Sequence, residues 1–193
     1  MNTNTIEQER RRKRGRCRKI DHSPWESCLN IRDAAAGDAA EIVSIYNHFI
    51  LTTSISFEEE SVSEQAMASR IADIQGGALP FLVLTDGDTI TGYAYATKWR
   101  VRHAYRFAAE TSIYLLPGHG GKGHGAALYT ALLARLAEAG IHMAIGGIAL
   151  PNPASVALHE KFGFNKVAHF SEVGFKFGRW IDVGYWELKL EGA

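Results

Sequence analysis

The feature that most constrains the fold of this 193-residue chain is a cluster of glycines between Gly118 and Gly125. The residues before it, 108–116, favour a β-strand that is closed by Pro117, and residues 126–139 repeat leucine at helical spacing. Glycine adopts positive φ readily and leaves its backbone open to close approach. The pattern predicts an abrupt strand-to-helix junction whose unpaired N–H groups form an anion site at the helix N-terminus.

Several ligand classes use a glycine loop of this kind. A P-loop requires Ser or Thr after its lysine, but Gly123 follows Lys122, and Leu116 stands where the first glycine is needed. Gly118, Gly120 and Gly123 match a dinucleotide fingerprint, yet the loop follows antiparallel strands and the next strand lacks the acid that binds ribose. A flexible turn without a ligand would not explain the strand-to-helix context. The third ligand class is the pyrophosphate of coenzyme A.

The remaining segments predict a mixed α/β sheet flanked by helices. After Asp38, apolar side chains recur at helical spacing, and Ser63 and Asn152 are candidate N-caps of two further helices. An Asp-Gly-Asp turn at residues 86–88 favours an antiparallel hairpin. The predicted helices cover the segment after Asp38 with Ile42, Ile45, Tyr46 and Phe49 on one face, and residues 63–74, 126–139 and 153–162. The predicted strands cover residues 31–32, 81–84, 90–96, 108–116, 141–150, 164–170 and 183–190.

The balance of 21 Lys and Arg against 21 Asp and Glu conceals a basic N-terminal segment. Residues 1–19 carry eight of the cations and two of the acids, so this segment has a formal charge of +6 and the remainder −6. We predict a solvated extension over residues 1–29 and one domain over 30–193; the alternative is an arm that binds nucleic acid. No apolar run could span a bilayer, and Cys17 and Cys28 lack metal-site spacing, so we expect a cytoplasmic protein with no metal and no membrane association.

The order of elements, with LHEKFGF at residues 158–164, resembles the Gcn5-related N-acetyltransferase (GNAT) superfamily. Its pyrophosphate loop, Gln/Arg-x-x-Gly-x-Gly/Ala, corresponds to residues 120–125, and the chain departs from it only by having Gly120 at the first position. Over residues 31–190 the chain is similar to the phosphinothricin and methionine sulfoximine acetyltransferases. The strings that carry this similarity are IYN at 45–47, TSISF at 53–57, AETSIY at 109–114, LPNPAS at 150–155 and KFGRWIDVG at 176–184.

The resemblance implies a GNAT fold, a single mixed and mostly antiparallel sheet with splayed parallel strands, and a homodimer. It implies acetyl-CoA as cosubstrate, a small glutamate-like amine as acceptor, and the resistance that acetylating such an inhibitor confers. The coenzyme would contact Ile113, Tyr114, Leu115, Gly120, Gly121, Lys122, Gly123, His124, Gly125, Ala126 and Asn152. The acceptor would contact Phe57, Arg102, His103, Ala104 and Tyr105. The contact expected at His124 involves the loop backbone. We expect the side chains of His119 and His124 to lie on the surface.

Two side chains are candidates for proton transfer. Glu110 is an acid in an apolar strand, where desolvation would raise its pKa toward that of a general base; pairing with Arg102 or Arg106 is the structural alternative. His159 replaces a tyrosine that many superfamily members place near the coenzyme sulfur. We predict that it is the general acid that protonates the leaving thiolate, while a packing role remains the alternative.

Other functions remain open at this point. An acetyltransferase of this fold could act on a different amine, such as another amino acid, a polyamine or a protein N-terminus. A chain that senses acyl-CoA or binds nucleic acid through its basic segment would need no catalysis. We expect nucleic-acid binding to be absent, because the basic segment carries no aromatic residues and no apolar periodicity.

Overall fold

The computed structural model describes residues 29–191, which form one seven-stranded sheet flanked by helices on both faces. The basic segment and both cysteines lie outside the described residues. The strand order is β1-β2-β3-β4-β5-β7-β6, and every neighbouring pair is antiparallel except β4 and β5. The strands are β1 (Leu29–Asp33), β2 (Phe81–Asp86), β3 (Thr89–Lys98), β4 (Ala108–Leu115), β5 (Met143–Ala149), β6 (Asn165–Lys176) and β7 (Arg179–Lys189). The predicted fold class is confirmed.

The helices begin and end close to the predicted positions. They are α1 (Ala39–Thr52), α2 (Glu64–Gly76), α3 (His124–Glu138) and α4 (Pro153–Lys161). Ser63 caps α2 by accepting a hydrogen bond from the N–H of Ala66, and Asn152 caps α4 by accepting one from Ser155. Asp38 precedes α1 as predicted, but its carboxylate binds Arg32 and the N–H of Ala35 instead of the helix.

Each face of the sheet has its own core. Helices α1 and α2 pack on one face over Phe81, Val83 and Tyr93, which we call the α1/α2 face. Helix α3 packs on the other face through Leu128 and residues at successive four-residue spacings, together with Phe164 and Trp186. Alternate residues of the central strands β2 and β3 therefore enter different cores.

The two halves of the sheet join through a short parallel ladder. Strands β4 and β5 pair only at Ala108 with Met143, Ala109 with Ala144 and Glu110 with Ile145. Beyond Glu110, β4 pairs in the sheet with β3 alone, and beyond Ile145, β5 pairs with β7 alone. We call this separation the fork; it leaves a cleft between the two strands, with one ladder edge of each strand unpaired.

The hairpin of β6 and β7 is longer than the sequence predicts. Its turn lies at Phe177 and Gly178, both with positive φ, whereas the prediction ended the first strand at residue 170 and began the second at 183. Residues 171–173 of β6 are all exposed, and buried positions recur only at Gly174 and Lys176 beside the turn, so the alternation that marks a half-buried strand is too short to be recognised.

No helix within the described residues is long and apolar enough to cross a membrane. Over the same residues, no group of three or more His, Cys, Asp or Glu side chains could hold a metal ion.

Candidate active site

Glu110 lies at the fork, where the parallel ladder ends. It pairs with Ile145 of β5 on one side and stands opposite Thr97 of β3 on the other. Its side chain lies on the α1/α2 face, because Ala109 on the preceding position belongs to the opposite core. Burial raises the pKa of Glu110 above its usual 4.5, and the charge of Arg100 lowers it by a smaller amount. The site therefore holds a partly desolvated carboxylate at the mouth of a cleft.

A small group of side chains surrounds this carboxylate. Gly147 of β5 lies so close that a Cβ there would be 2.8 Å from Oε1 of Glu110 and 3.1 Å from the ring of Tyr185. Trp99 packs edge-on against Tyr185 with ring centroids 5.5 Å apart, and the Arg100 guanidinium lies 3.9 Å above the Trp99 ring. Glu110 raises the pKa of Tyr185, although burial is the larger cause. The structure therefore brings one cation and two aromatic rings to the carboxylate.

Thr111, the residue after Glu110, links the two strands of the fork on the opposite face of the sheet. Thr111 is buried, and its hydroxyl donates to the carbonyl of Ile145 at 3.1 Å. Its single proton is then engaged, so the Tyr129 hydroxyl donates to Thr111 Oγ1 at 2.7 Å. These side-chain bonds take over where the backbone ladder stops, and they fix the separation of the strands next to Glu110.

The glycine loop has the geometry that an anion site requires. Gly118, Gly121 and Gly123 have φ values of 83°, 76° and 86°, and nothing lies within 4 Å of the position a Cβ would take at any of them. Gly123 is the N-cap of α3, and no side chain caps the helix. The first intrahelical bond runs from the N–H of Ala127 to the carbonyl of Gly123, so the N–H groups of the first turn are available to a ligand. Lys122 is exposed beside them.

His124 corrects the expectation of a surface side chain. It is the first residue of α3 and only 6% exposed, because it shares the packed face of the helix with Leu128, Leu132 and Leu136 at four-residue spacing. Its Nδ1 is buried and has no hydrogen-bond partner in the structure. His119 was also expected on the surface but is half-buried, with its ring centroid 5.8 Å from that of His124.

The predicted coenzyme contacts of β4 and α3 converge beyond the fork. A Cβ at Gly125 would lie 3.7 Å from Leu115, 3.7 Å from Leu158 of α4 and 3.9 Å from Ile113. The first turn of α3, the unpaired part of β4 and Leu158 of α4 therefore lie together at one end of the cleft. Tyr114 lies on the opposite face, in the core under α1, and the side chain of Asn152 is half-buried in its capping bond. Ala126 is half-buried in the first turn of α3.

His159 lies inside the protein, against β5. It is 4% exposed, and its ring packs edge-on against Tyr129 and Phe164 with centroids 5.1 Å apart in both cases. Nδ1 lies 2.8 Å from the carbonyl of Ser155 and therefore carries a proton, while the buried Nε2 has no partner and faces Gly146. Burial lowers the pKa of His159 below its usual 6.5, so the neutral ring predominates at neutral pH.

The predicted acceptor residues fall into two groups. Residues 102–105 are exposed and form a short turn of 3-10 helix just before β4, with Arg102 at its N-cap and Tyr105 43% exposed. Phe57 lies elsewhere, in the loop after α1, with its ring over Gly174 of β6. Of the cations that precede β4, Arg100 is the one whose charge acts on Glu110.

Sequence reasoning missed several residues of this site. Gly147 and Tyr185 both touch the Glu110 environment, and Thr111 and Tyr129 hold the fork. Two consecutive glycines at 146 and 147 within a predicted strand were an available signal, since glycine inside a strand often marks a close approach by another group. The position of Tyr185 depends on the pairing of β5 with β7, which no local pattern encodes.

A family model described as "Acetyltransferase (GNAT) domain" matches residues 31–184. Among characterised proteins, a phosphinothricin N-acetyltransferase from Streptomyces coelicolor is 36% identical over 170 residues, which cover 86% of this chain and 99% of that protein. An L-methionine sulfoximine/L-methionine sulfone acetyltransferase from Salmonella typhimurium is 35% identical over 163 residues, covering 84% of this chain and 95% of that protein.

The fold is similarly shared with solved structures. A GNAT superfamily phosphinothricin acetyltransferase from Sinorhizobium meliloti, crystallised with acetyl-CoA, superposes with a TM-score of 0.82 at 39% identity. The match covers 86% of this chain and 90% of that one. The resemblance read from the sequence is thereby confirmed over nearly all the described residues.

Proposed function

Because the chain belongs to the GNAT family and is an acetyl-CoA-dependent N-acetyltransferase, we propose that it acetylates the amino group of a small glutamate-like amino acid, with Glu110 as general base. Phosphinothricin and methionine sulfoximine are the candidate acceptors, since the relatives in the comparison are named for them. The proposed acetylation would detoxify such an inhibitor in the cytoplasm, where acetyl-CoA is available.

The position of Glu110 is the observation that carries this proposal. An ammonium group must lose a proton before its nitrogen can attack a thioester, and a carboxylate accepts that proton better as its pKa rises toward the operating pH. Burial raises the pKa of Glu110, and the residue lies where the pairing of β4 with β5 ends; both observations support this role. The proton passes from the amine to a Glu110 oxygen, directly or through one water.

The cleft and the glycine loop fit acetyl-CoA. Loop N–H groups and the N-terminus of α3 would hold the pyrophosphate, and Lys122 would add a positive charge in place of the side chain that Gly120 lacks. The unpaired edge of β4 at Ile113, Tyr114 and Leu115 would bond the pantetheine arm as an added strand, with one of its N–H groups facing the thioester oxygen. Asn152 would contribute its amide N–H beside its capping bond.

His159 is proposed as the acid for the leaving thiolate. Its Nε2 has no protein partner and faces β5 at the fork. An imidazolium whose pKa is below about 8.5, the usual value for a thiol, transfers its proton to a thiolate downhill. Because burial lowers the pKa of His159, the protonated ring is a stronger acid but a minor species at neutral pH. The proposal therefore requires a rate that declines as pH rises above that pKa.

The acceptor carboxylate is assigned to the basic residues before β4. Arg102, in the exposed turn of residues 102–105, can form a bidentate pair with a carboxylate. Arg100 is fixed over Trp99 beside Glu110 and can orient the same group. His103, Ala104 and Tyr105 of the same turn would contact the amino-acid end of the acceptor, and Phe57, in the loop after α1, would contact it from the side of β6.

We also propose that the protein is a homodimer through the β6–β7 hairpin. Its exposed apolar side chains form a row in which Phe175 and Trp180 pack together at 4.9 Å while remaining 55% and 61% exposed. Burying such a row is favourable by roughly 25 cal/mol per Å² of apolar surface. Sedimentation equilibrium should give twice the chain mass, and Trp180→Lys should shift the protein toward monomer. A native protein that sediments as a monomer would refute the dimer.

The function is tested by release of coenzyme A thiol from acetyl-CoA in the presence of L-phosphinothricin or L-methionine sulfoximine. Native protein should turn over at least one of them, and Glu110→Gln should lose roughly 100-fold or more in kcat. Other amino acids, a polyamine and a peptide N-terminus form the comparison panel. Turnover confined to a polyamine or a peptide would refute the proposed acceptor class, and full activity of Glu110→Gln would refute the base.

A further inference from the structure

A cavity of about 260 Å³ opens on the α1/α2 face, between helices α1 and α2 and strands β2 and β3. Thr97, one of its lining residues, stands opposite Glu110 on the antiparallel ladder of β3 and β4. Side chains directly opposite on such a ladder lie on the same face with Cβ atoms about 4.5–5.5 Å apart. The cavity therefore begins one residue from the carboxylate that is proposed to deprotonate the acceptor.

The walls of this cavity are mainly apolar. Met67 and Ile74 of α2 line one side. Phe81 and Tyr95 line the other, with their rings stacked at a centroid distance of 5.0 Å. At roughly 30 Å³ for each water-sized group, the space holds about eight non-hydrogen atoms. A long amino-acid side chain fits this volume, and its apolar part would meet apolar walls.

The charges around the cavity disfavour an anion. Arg70 lines it, but its guanidinium already forms two hydrogen bonds with Glu58, at 2.7 and 3.2 Å. Asp73 also lines it and adds a negative charge. An anionic side chain would meet an already paired cation and the negative charge of Asp73, and its desolvation would be costly.

One polar group of the wall lacks a partner. Tyr93 lines the cavity, is 1% exposed, and its hydroxyl forms no hydrogen bond within the structure. A buried hydroxyl without a partner is unfavourable, and a bound group that accepts a hydrogen bond would relieve that cost. The neighbouring Tyr46 hydroxyl is already engaged with Ser56 and Glu58. The cavity thus offers a free donor in an apolar setting.

We propose that this cavity receives the side chain of the acceptor and selects long, uncharged side chains that carry a hydrogen-bond acceptor over anionic ones. The inference rests on the proposed function and narrows its substrate class: a methionine sulfone is favoured over phosphinothricin, whose side chain is an anion. The α-amino group lies at Glu110, the side chain extends past Thr97 into the cavity, and its terminal oxygen accepts the Tyr93 hydrogen bond.

The test compares kcat/KM for L-methionine sulfone, L-phosphinothricin and L-alanine, whose side chain is too short to enter the cavity. Native protein should favour the sulfone over phosphinothricin by about tenfold or more. Tyr93→Phe should raise KM for the sulfone about fivefold, as expected for one lost hydrogen bond. Met67→Phe should raise it more by filling the space. Neither variant should change KM for L-alanine or acetyl-CoA.

Two controls keep the outcomes distinct. Ile71→Val alters a buried residue one turn along α2 that does not line the cavity, and it should leave the preference unchanged. Tyr93→Phe removes only a hydroxyl without a partner, so it should fold even if Met67→Phe does not.

No turnover of any amino acid by native protein would overturn the proposed function and this inference with it. Turnover with the same side-chain preference in native protein, Tyr93→Phe and Met67→Phe would overturn the inference alone.

Discussion

The carboxylate of Glu110 and the backbone of Gly147 adjoin across the fork, so closely that a Cβ at residue 147 would lie 2.8 Å from Oε1. Gly147→Ala should therefore displace the carboxylate and the Tyr185 ring. We expect kcat to fall by about tenfold or more, since small displacements of a catalytic group are costly, while KM for acetyl-CoA stays near native. Gly37→Ala is the control, because nothing lies within 4 Å of its Cβ position. Native kcat in Gly147→Ala would contradict the assigned position of the base.

The raised pKa of Glu110 predicts an effect on stability as well as on rate. The folded protein binds this proton more tightly than the unfolded chain, so the resulting stabilisation is present below pH 4.5 and is lost as pH rises through the raised pKa. The Glu110→Gln variant has no carboxylate to ionise at this position, so its stability does not fall in this way. Urea unfolding should show that the variant gains stability relative to native between pH 4.5 and 7, although it has lost turnover. A variant that becomes less stable than native over that range would argue against a desolvated carboxylate.

The pH profile tests the proposed acid. With Glu110 as base and His159 as acid, kcat should rise as Glu110 ionises and fall as His159 loses its proton, and because burial lowers the pKa of His159, the descending limb should lie below pH 6.5. His159→Gln should abolish that limb. A native kcat that stays level from pH 6.5 to 8 would leave His159 with a packing role.

Substitution of Gly123 tests whether the loop backbone binds the coenzyme. Alanine at φ 86° is strained by about 1–2 kcal/mol and would distort the start of α3. Gly123→Ala should raise KM for acetyl-CoA several-fold with little change in KM for the amine. Gly87→Ala introduces the same kind of strain in the β2–β3 turn, at φ 59° with open space around it, and should lower stability without affecting acetyl-CoA. Equal effects of the two changes on acetyl-CoA would show that the loop has no specific role.

Substitution of Lys176 tests how strongly the β6–β7 hairpin is bound to the loop after α1. Its side chain is 2% exposed, and its ammonium donates to the carbonyl of Ser56 at 2.6 Å. Lys176→Met should lower the free energy of unfolding by about 1.5–3 kcal/mol, because it removes a charged hydrogen bond and leaves the carbonyl buried. Arg179→Ala removes an exposed bond to Ser54 and should cost less than about 0.5 kcal/mol. Matching losses in the two variants would contradict the importance of the buried contact.

The elements that sequence predicted well are those whose local signals agree with their packing. Helix α2 has a serine N-cap and a one-sided apolar pattern, and the turn at Gly87 has the residues that a tight hairpin requires. The glycine loop was found because both of its flanking elements are strongly patterned. The mixed, mostly antiparallel sheet with splayed parallel strands followed from the family resemblance, since periodicity alone does not say which strands pair.

The parts of the site that sequence did not predict depend on contacts between distant segments. His124 is buried because its spacing places it with the leucines of α3, a pattern that the predicted helix start at residue 126 had cut off. Arg100 is distinguished from the nearby cations only by stacking on Trp99 near Glu110. The cavity beside Thr97 forms only when α1 and α2 both pack on the sheet.

Strand β4 separates two chemical environments with consecutive residues. Glu110 faces the layer of α1 and α2, whereas Thr111 faces the core under α3. Natural selection could therefore remodel the residues on one side of the strand without changing the residues on the other. A lineage that acquires a new amine substrate would keep the same acetyl donor, and this independence is a structural basis for the divergence of related enzymes toward different compounds.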